Sequence, residues 1–176
     1  MTRARWPCNT QATGYKTGKT DMSPTIVAGG VAILLGLLGG LMTPIGPWYD
    51  NLRKPKLQPP NWLFGPAWTI ILGLAAWSAV IAWHAAPDHA GRTSVIILFA
   101  TNAVCHAAWS PLFFRLRRPD WALIEVVFLW ASLVALVIGL WPISHQASLL
   151  ILPYLVWVSF ASWLNRQIVL LNAPFA

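Results

Sequence analysis

Apolar residues are gathered along the chain into five long runs that are separated by short polar stretches. The first run extends from Pro24 to Met42, and the others cover residues 61–86, 93–114, 121–141 and 146–171. Each run can cross a hydrocarbon core of about 30 Å at a rise of 1.5 Å per residue. In lipid, a single run can satisfy its own backbone polar groups only as a helix. The pattern therefore predicts an all-α membrane protein, a bundle of five transmembrane helices.

The polar stretches define the domain organisation. Residues 1–23 form a polar, basic tail without the long apolar core of a signal peptide, and Met22 is an alternative start because the membrane pattern begins directly after it. Residues 24–172 form the transmembrane domain. Its longest connection, residues 44–60, contains five prolines, which keep it out of a regular helix. The other connections are short, which favours antiparallel neighbours in a compact bundle.

Composition and charge agree with a membrane protein. Hydrophobic residues make up 57% of the chain and charged residues 10%, whereas soluble domains carry about a quarter charged residues. The net charge of +7 lies mostly in the connections, where basic residues anchor to the lipid bilayer, so nucleic acid is not an expected partner. The end with residues 53–56 and 115–118 is the more basic one. This end is predicted to face the cytoplasm together with the C-terminus. Which cellular membrane holds the protein is left open.

Familiar catalytic and metal-binding patterns are missing from the sequence. Cys8 in the tail and Cys105 within an apolar run give neither a disulfide framework nor metal-ligand spacing. No glycine-rich phosphate loop and no Ser/His/Asp arrangement can be placed. Repeated halves, which inverted-repeat transporters have, are also missing. We therefore predict no metal site.

Polar side chains inside the apolar runs mark inward-facing surfaces. Asn102, His106 and Trp109 share one helical face, which can line a cavity or supply a haem ligand at His106, although interhelical hydrogen bonding is the favoured interpretation. Glu125 is the only acidic residue inside a run. It can pair with His106 or a loop arginine, be protonated, or contact a ligand. With no second carboxylate nearby in sequence, general acid–base catalysis is not predicted.

Small residues and tryptophans form two further patterns. In the first run, small residues four apart let two helices approach closely, either in a homodimer or within the bundle. Tryptophans near the ends of the runs fit an interfacial belt, whereas the deeper ones suit a flat apolar ligand or bulk packing. The small residues are Ala28, Ala32, Gly36 and Gly40, and the deeper tryptophans are Trp68, Trp109, Trp130 and Trp157.

Three stretches of sequence resemble one known family. They run from Trp48 to Thr69, with its Pro-Pro-Asn-Trp and Phe-Gly-Pro-Ala-Trp-Thr segments, from Trp109 to Phe114, and from Pro153 to Asn165 with a following Leu-Asn at 171–172. They resemble the translocator protein family, also called tryptophan-rich sensory proteins or peripheral benzodiazepine receptors (TspO/MBR). The resemblance extends over residues 24–172.

The resemblance implies a five-helix bundle, often a homodimer, with a ligand pocket under the first long loop. Family members bind porphyrins such as protoporphyrin IX, sterols in some cases, and benzodiazepine-type ligands. A tetrapyrrole-binding sensor is therefore the leading interpretation, with the porphyrin or haem as a ligand rather than an obligatory cofactor. Two alternatives stay open: light- and oxygen-dependent porphyrin degradation, with Trp68 and Trp157 as catalytic candidates, and transport of porphyrin or sterol.

By motif, Trp68 and Trp157 correspond to paired pocket tryptophans of the family. The chain has His106 where the family usually has Asn, and Glu125 where Asp is common. Sterol binding by the fifth run is doubtful, because the first basic residue after Tyr154 lies beyond the reach of the cholesterol-recognition pattern. The expected ligand-binding residues, from motif and helix faces together, are Trp48, Pro59, Pro60, Trp62, Trp68, His106, Trp109, Trp121, Glu125, Trp157, Ala161, Leu164 and Asn165.

Overall fold

The structure, a computed structural model, describes residues 22–175, which form five long helices and one short one. The predicted tail of residues 1–23, with Cys8, therefore lies outside the described residues except at its last two positions. The five long helices are long and apolar enough to cross a membrane, so the predicted all-α, multi-pass membrane protein is confirmed. The helices are α1 (Met22–Leu41), α2 (Pro47–Asp50), α3 (Asn61–Ala85), α4 (His89–Ser110), α5 (Pro119–Leu140) and α6 (His145–Asn172).

The long helices pack as a closed ring. Helix α1 packs on α3, α3 on α6, α6 on α5 and α5 on α4, and a thinner contact between α4 and α1 completes the ring. The main core lies where α5 meets α6, around the fully buried side chains of Leu133, Leu136 and Ile151. Among the described residues of α1, none is fully buried. Helix α1 is therefore the least embedded wall of the bundle.

Buried polar side chains connect neighbouring helices. The hydroxyl of Ser78 in α3 donates to the carbonyl of Ala147 in α6 at 2.7 Å. The side-chain amide of Asn102 in α4 donates to the hydroxyl of Ser132 in α5 at 2.9 Å. In hydrocarbon such groups need protein partners, and interhelical hydrogen bonds supply them. For Asn102, this is the role that the sequence favoured.

The connection of residues 44–60, which we call the lid loop, differs from its prediction at one point. It contains one helical turn, α2. Pro47 fits the start of this turn, because the first N–H groups of a helix have no partner within it and the missing N–H of proline costs no hydrogen bond. At the far end of the loop, Pro60 is the N-cap of α3. The rest of the loop is irregular.

The connection between α4 and α5 has an irregular backbone conformation. Residues 111–115 form a π-helical turn that continues α4, and Arg117 follows with a φ of 54°. Single π-helical turns are often found at functional sites, since they change the direction of the side chains that follow. The guanidinium of Arg115 donates to the carbonyl of Leu41 at 3.1 Å, which satisfies a free carbonyl at the end of α1.

The lid loop, the π-helical turn and the C-terminal end of α6 lie at the same end of the bundle. Arg115 reaches the end of α1, and the backbone of Arg53 is hydrogen-bonded to the side chain of Asn172. This end therefore carries the basic segments 53–56 and 115–118. Its cytoplasmic orientation stays a prediction.

Candidate functional site

A cavity of about 890 Å³ lies inside the ring, next to the lid loop. All five long helices and the lid loop contribute to its wall, which is mostly apolar and aromatic. Among the described residues that line it, none is Lys, Arg, Asp or Glu. Its volume is within the range of pockets that enclose small organic ligands. The cavity is therefore suited to a large and mainly apolar molecule.

Trp68 of α3 is the centre of an aromatic cluster at the cavity wall. Its ring meets the rings of His106, Tyr154 and Trp157 edge to face, with centroid distances of 4.8, 5.8 and 6.3 Å. This arrangement is favourable because the positive edge of one ring faces the negative face of another. A second partner of Trp157 is Phe64, at 5.7 Å. The cluster joins α3, α4 and α6 and presents ring faces and edges to a ligand.

A buried hydrogen bond fixes the orientation of His106 within this cluster. Its Nδ1 lies 2.8 Å from the hydroxyl of Tyr154, which is 2% exposed. Both residues belong to membrane-spanning helices, and each supplies the other with a polar partner in an apolar environment. His106 lines the cavity, so the residue that replaces the usual family Asn is in contact with the ligand space.

Two indole N–H groups of the wall have no protein partner. Nε1 of Trp109 and Nε1 of Trp157 are buried, and within the described part of the chain neither has a hydrogen-bond acceptor. An unmet buried donor costs about 1–3 kcal/mol. Both nitrogens are covered by neighbouring protein atoms, so the cavity itself presents mainly apolar and aromatic surface.

The end of the cavity under the lid loop is more polar. Tyr49 of α2 is buried and lines the cavity, and its hydroxyl accepts a hydrogen bond of 2.9 Å from the side-chain amide of Gln58. Burial raises the pKa of Tyr49 above its ordinary value, so the hydroxyl stays protonated at neutral pH. The carbonyl oxygen of Gln58 is buried without a partner among the described residues. Phe114 packs against the Tyr49 ring at 5.5 Å.

The stripe of small residues in α1 faces this cavity. Ala32, Gly36 and Gly40 all line it, and a Cβ added at Gly36 would lie 3.8 Å from Leu72 of α3. The small side chains therefore let α1 approach α3 and leave room for a ligand. The homodimer that the same stripe suggested stays a prediction.

Asn165 acts mainly as a link between helices. It is 2% exposed. When its amide is oriented so that both of its polar atoms have partners, the nitrogen donates to the carbonyl of Pro119 and the oxygen accepts from the N–H of Leu123, each at 3.1 Å. Because Asn165 also lines the cavity, it connects the ligand space to the first turn of α5.

Glu125 does not take part in the cavity wall. Its carboxylate oxygens are buried, and within residues 22–175 they have no hydrogen-bond partner, so pairing with His106 or with a loop arginine does not occur. Trp121, one turn earlier, is 49% exposed and packs under the guanidinium of Arg118 at 4.6 Å. This face of α5 is thus at the boundary between bundle and lipid.

The structure brings about half of the expected ligand-binding residues together. Those that line the cavity are Trp68, His106, Trp109, Trp157, Ala161, Leu164 and Asn165. Those that lie outside the lining are Trp48, Pro59, Pro60, Trp62, Trp121 and Glu125. Among the outer ones, Trp48 supports the wall by packing on Phe113 at 6.1 Å, whereas Trp62 is 72% exposed.

Several lining residues were not anticipated from the sequence. Phe64 lies one helical turn before Trp68, so the spacing of four could have indicated it. Tyr49 and Gln58 lie within the family-like loop motif but carry no pattern that separates them from their neighbours. The position of Phe113 and Phe114 depends on the π-helical turn, which no sequence period reveals.

Five membrane-spanning helices around an aromatic cavity, with a proline-rich loop beside it, define a polytopic membrane protein with an internal cavity. Residues 28–171 match the model of the TspO/MBR family. The chain belongs to this family, so the resemblance seen in the motifs is confirmed.

Relatives from bacteria, archaea and animals agree with this assignment. The chain is 38% identical over 151 residues to the tryptophan-rich protein TspO of Archaeoglobus fulgidus, covering 84% of this chain and 97% of that protein. It is 36% identical over 149 residues to the tryptophan-rich protein TspO of Chlorobaculum tepidum, covering 81% and 92%. It is 29% identical over 119 residues to the translocator protein of Homo sapiens, covering 67% and 70%.

Proposed function

We propose that this protein binds a tetrapyrrole of the protoporphyrin IX type in its aromatic cavity and acts in the membrane as a sensor or translocator protein for it. The observation that carries the proposal is the large cavity, whose uncharged wall contains the aromatic rings of Trp68, Trp109 and Trp157. A planar macrocycle offers faces and edges to the rings of Trp68 and Trp157. Membership of the TspO/MBR family points to the same class of ligand.

Tryptophan fluorescence tests this proposal directly. Protoporphyrin IX added to the detergent-solubilised protein should quench the fluorescence saturably. The double variant Trp68→Phe with Trp157→Phe removes two indoles from the wall, and we expect its Kd to rise roughly tenfold, because aromatic contacts with the macrocycle are lost.

The matched control is Trp77→Phe. Trp77 belongs to α3, as Trp68 does, but it is 63% exposed and lies outside the cavity lining. Its replacement should leave the porphyrin Kd unchanged. If the double variant bound protoporphyrin IX as the Trp77 variant does, the cavity would not be the binding site.

A second candidate function is breakdown of the bound porphyrin with light and molecular oxygen. The observation that favours it is the direct contact of Trp68 with Trp157 and Tyr154, since indole and phenol rings are the side chains that most readily give up an electron. Illumination of the complex in air should then produce a new absorbing product, and Trp68→Phe should slow its formation. A complex whose spectrum stays intact would leave binding as the function.

A further inference from the structure

The charge of the site is confined to one end. The lining of the cavity contains no Lys, Arg, Asp or Glu among the described residues, whereas the lid loop carries Arg53, Lys54 and Lys56. Of these three, Arg53 and Lys56 are exposed and Lys54 is half-buried. The ammonium of Lys54 lies 4.1 Å from the centre of the Tyr49 ring. Because Tyr49 lines the cavity, Lys54 places a positive charge next to a residue of its wall.

This ammonium has no acidic partner within the described chain. Between residues 22 and 175, an ion pair forms between Arg118 and Asp120, and Lys54 takes part in none, although Asp50 lies in the same loop. A half-buried ammonium is stabilised when an anion approaches it, because a charge-assisted hydrogen bond is stronger than a neutral one. The contact with the Tyr49 ring supplies only part of that stabilisation.

Two neutral groups can assist an anion at the same place. The hydroxyl of Tyr49 accepts from the Gln58 amide, so its own hydrogen remains available to a ligand. The unpartnered carbonyl oxygen of Gln58 shows that its amide has an unused hydrogen-bonding position. Tyr49 can therefore donate to an added acceptor without losing the bond that it receives from Gln58.

We infer that the lid end of the cavity is an acid-binding subsite, in which Lys54 and Tyr49 receive a carboxylate on the edge of an otherwise uncharged planar ligand. The inference rests on the proposed function and adds the orientation of the ligand. The ring system lies among Trp68 and Trp157, and the acid edge points to the lid loop. The reverse orientation would place a carboxylate against apolar helices, which is costly in a membrane.

A lipid phosphate group is the other anion that Lys54 could meet. Basic residues beside a membrane span commonly contact headgroups. Arg53 and Lys56, which are exposed, are suited to that role. Lys54 differs from them in its burial and in its contact with a residue of the cavity wall, which is why we assign it to the ligand.

The test compares protoporphyrin IX with its dimethyl ester, which keeps the macrocycle but has no ionisable carboxyl group. Fluorescence quenching gives the Kd of both probes for the wild type, Lys54→Gln and the matched control Lys56→Gln. We expect Lys54→Gln to weaken binding of the acid about tenfold and to leave the ester unchanged. Lys56→Gln should alter neither, and Tyr49→Phe should weaken the acid more than the ester.

Other outcomes would overturn the inference. Equal weakening of acid and ester by Lys54→Gln would mean that the residue only supports the loop. Unchanged Kd values, with weaker attachment to vesicles that contain phosphatidylserine, would make Lys54 a headgroup anchor. If the wild type bound neither probe, the proposed function itself would fail, whereas failure of the inference alone would leave the wild type with equal affinity for both.

Discussion

The side chain of Asn172 is hydrogen-bonded to the backbone of Arg53 in both directions. Its oxygen accepts from the N–H of Arg53 at 2.8 Å, and its nitrogen donates to the carbonyl of Arg53 at 2.9 Å. The same nitrogen donates to the carbonyl of Ile168 at 2.8 Å, which orients the amide. The lid loop is therefore fixed to the last turn of α6, across 119 positions of sequence.

Replacing Asn172 by Ala should loosen the lid loop without unfolding the bundle. Two hydrogen bonds to the loop are lost, at about 1 kcal/mol each, so local opening should become roughly tenfold more frequent or more. Limited trypsin digestion measures this opening, because Arg53 and Lys56 are cleavable sites in the loop. The matched control is Asn51→Ala, whose exposed side chain makes no hydrogen bond in the structure. Equal cleavage rates in the two variants would contradict the role of Asn172.

Asn102 and Ser132 should show coupled effects on stability. The Asn102 amide donates to the Ser132 hydroxyl, which in turn donates to the carbonyl of Leu129 at 2.7 Å. Each single change to Ala should lower the free energy of unfolding in detergent by about 1 kcal/mol, and the coupling should be about 0.5–1.5 kcal/mol. Ser94→Ala, at an exposed position of α4, is the control with little expected effect. Strictly additive losses would show that the hydrogen bond contributes nothing.

His106 and Tyr154 offer a test in which a second substitution restores stability. His106→Phe leaves the buried Tyr154 hydroxyl without its partner, which should cost about 1–3 kcal/mol. Adding Tyr154→Phe removes the stranded hydroxyl, so the double variant should be more stable than His106→Phe alone. Thermal unfolding in detergent ranks the stabilities of these variants. His84→Phe, at an exposed position, is the control. A double variant that is less stable than both singles would contradict this pairing.

The sequence was sufficient for the fold because lipid imposes a strict rule on the backbone. A run that crosses hydrocarbon must be helical, so the predicted runs and the observed helices end within a few residues of each other. The start of α3 at Asn61 follows directly from Pro59 and Pro60, which cannot donate within a helix. Helical spacing also placed His106 and Trp109 together on the cavity side.

The parts that sequence reasoning missed depend on contacts between distant segments or on irregular backbone. The bond from Asn172 to Arg53 has no local signal. Glu125 shares a helical face with Trp121, yet α5 buries the neighbouring face around Val126 and Leu129, which turns Glu125 away from the cavity. Rotation of a helix about its axis is set by tertiary packing, and a periodic pattern determines it only to within about a residue.

Gly139 of α5 lies against the side chain of Leu98 of α4. A Cβ at this position would lie 2.8 Å from Cδ1 of Leu98 and 3.5 Å from its Cδ2, so Leu98 would have to move within the core. Gly139→Ala should therefore lower the free energy of unfolding by up to about 2 kcal/mol, since overpacking costs about 1–3 kcal/mol and the higher helix propensity of Ala returns about 1 kcal/mol. Gly30→Ala is the matched control, because a Cβ there meets nothing within 4 Å, and it should be neutral or slightly stabilising. If crowding is the cause, Leu98→Ala should cost less in the Gly139→Ala background than in the wild type. If Gly139→Ala were as stable as Gly30→Ala, the two helices would not be held at this distance by packing.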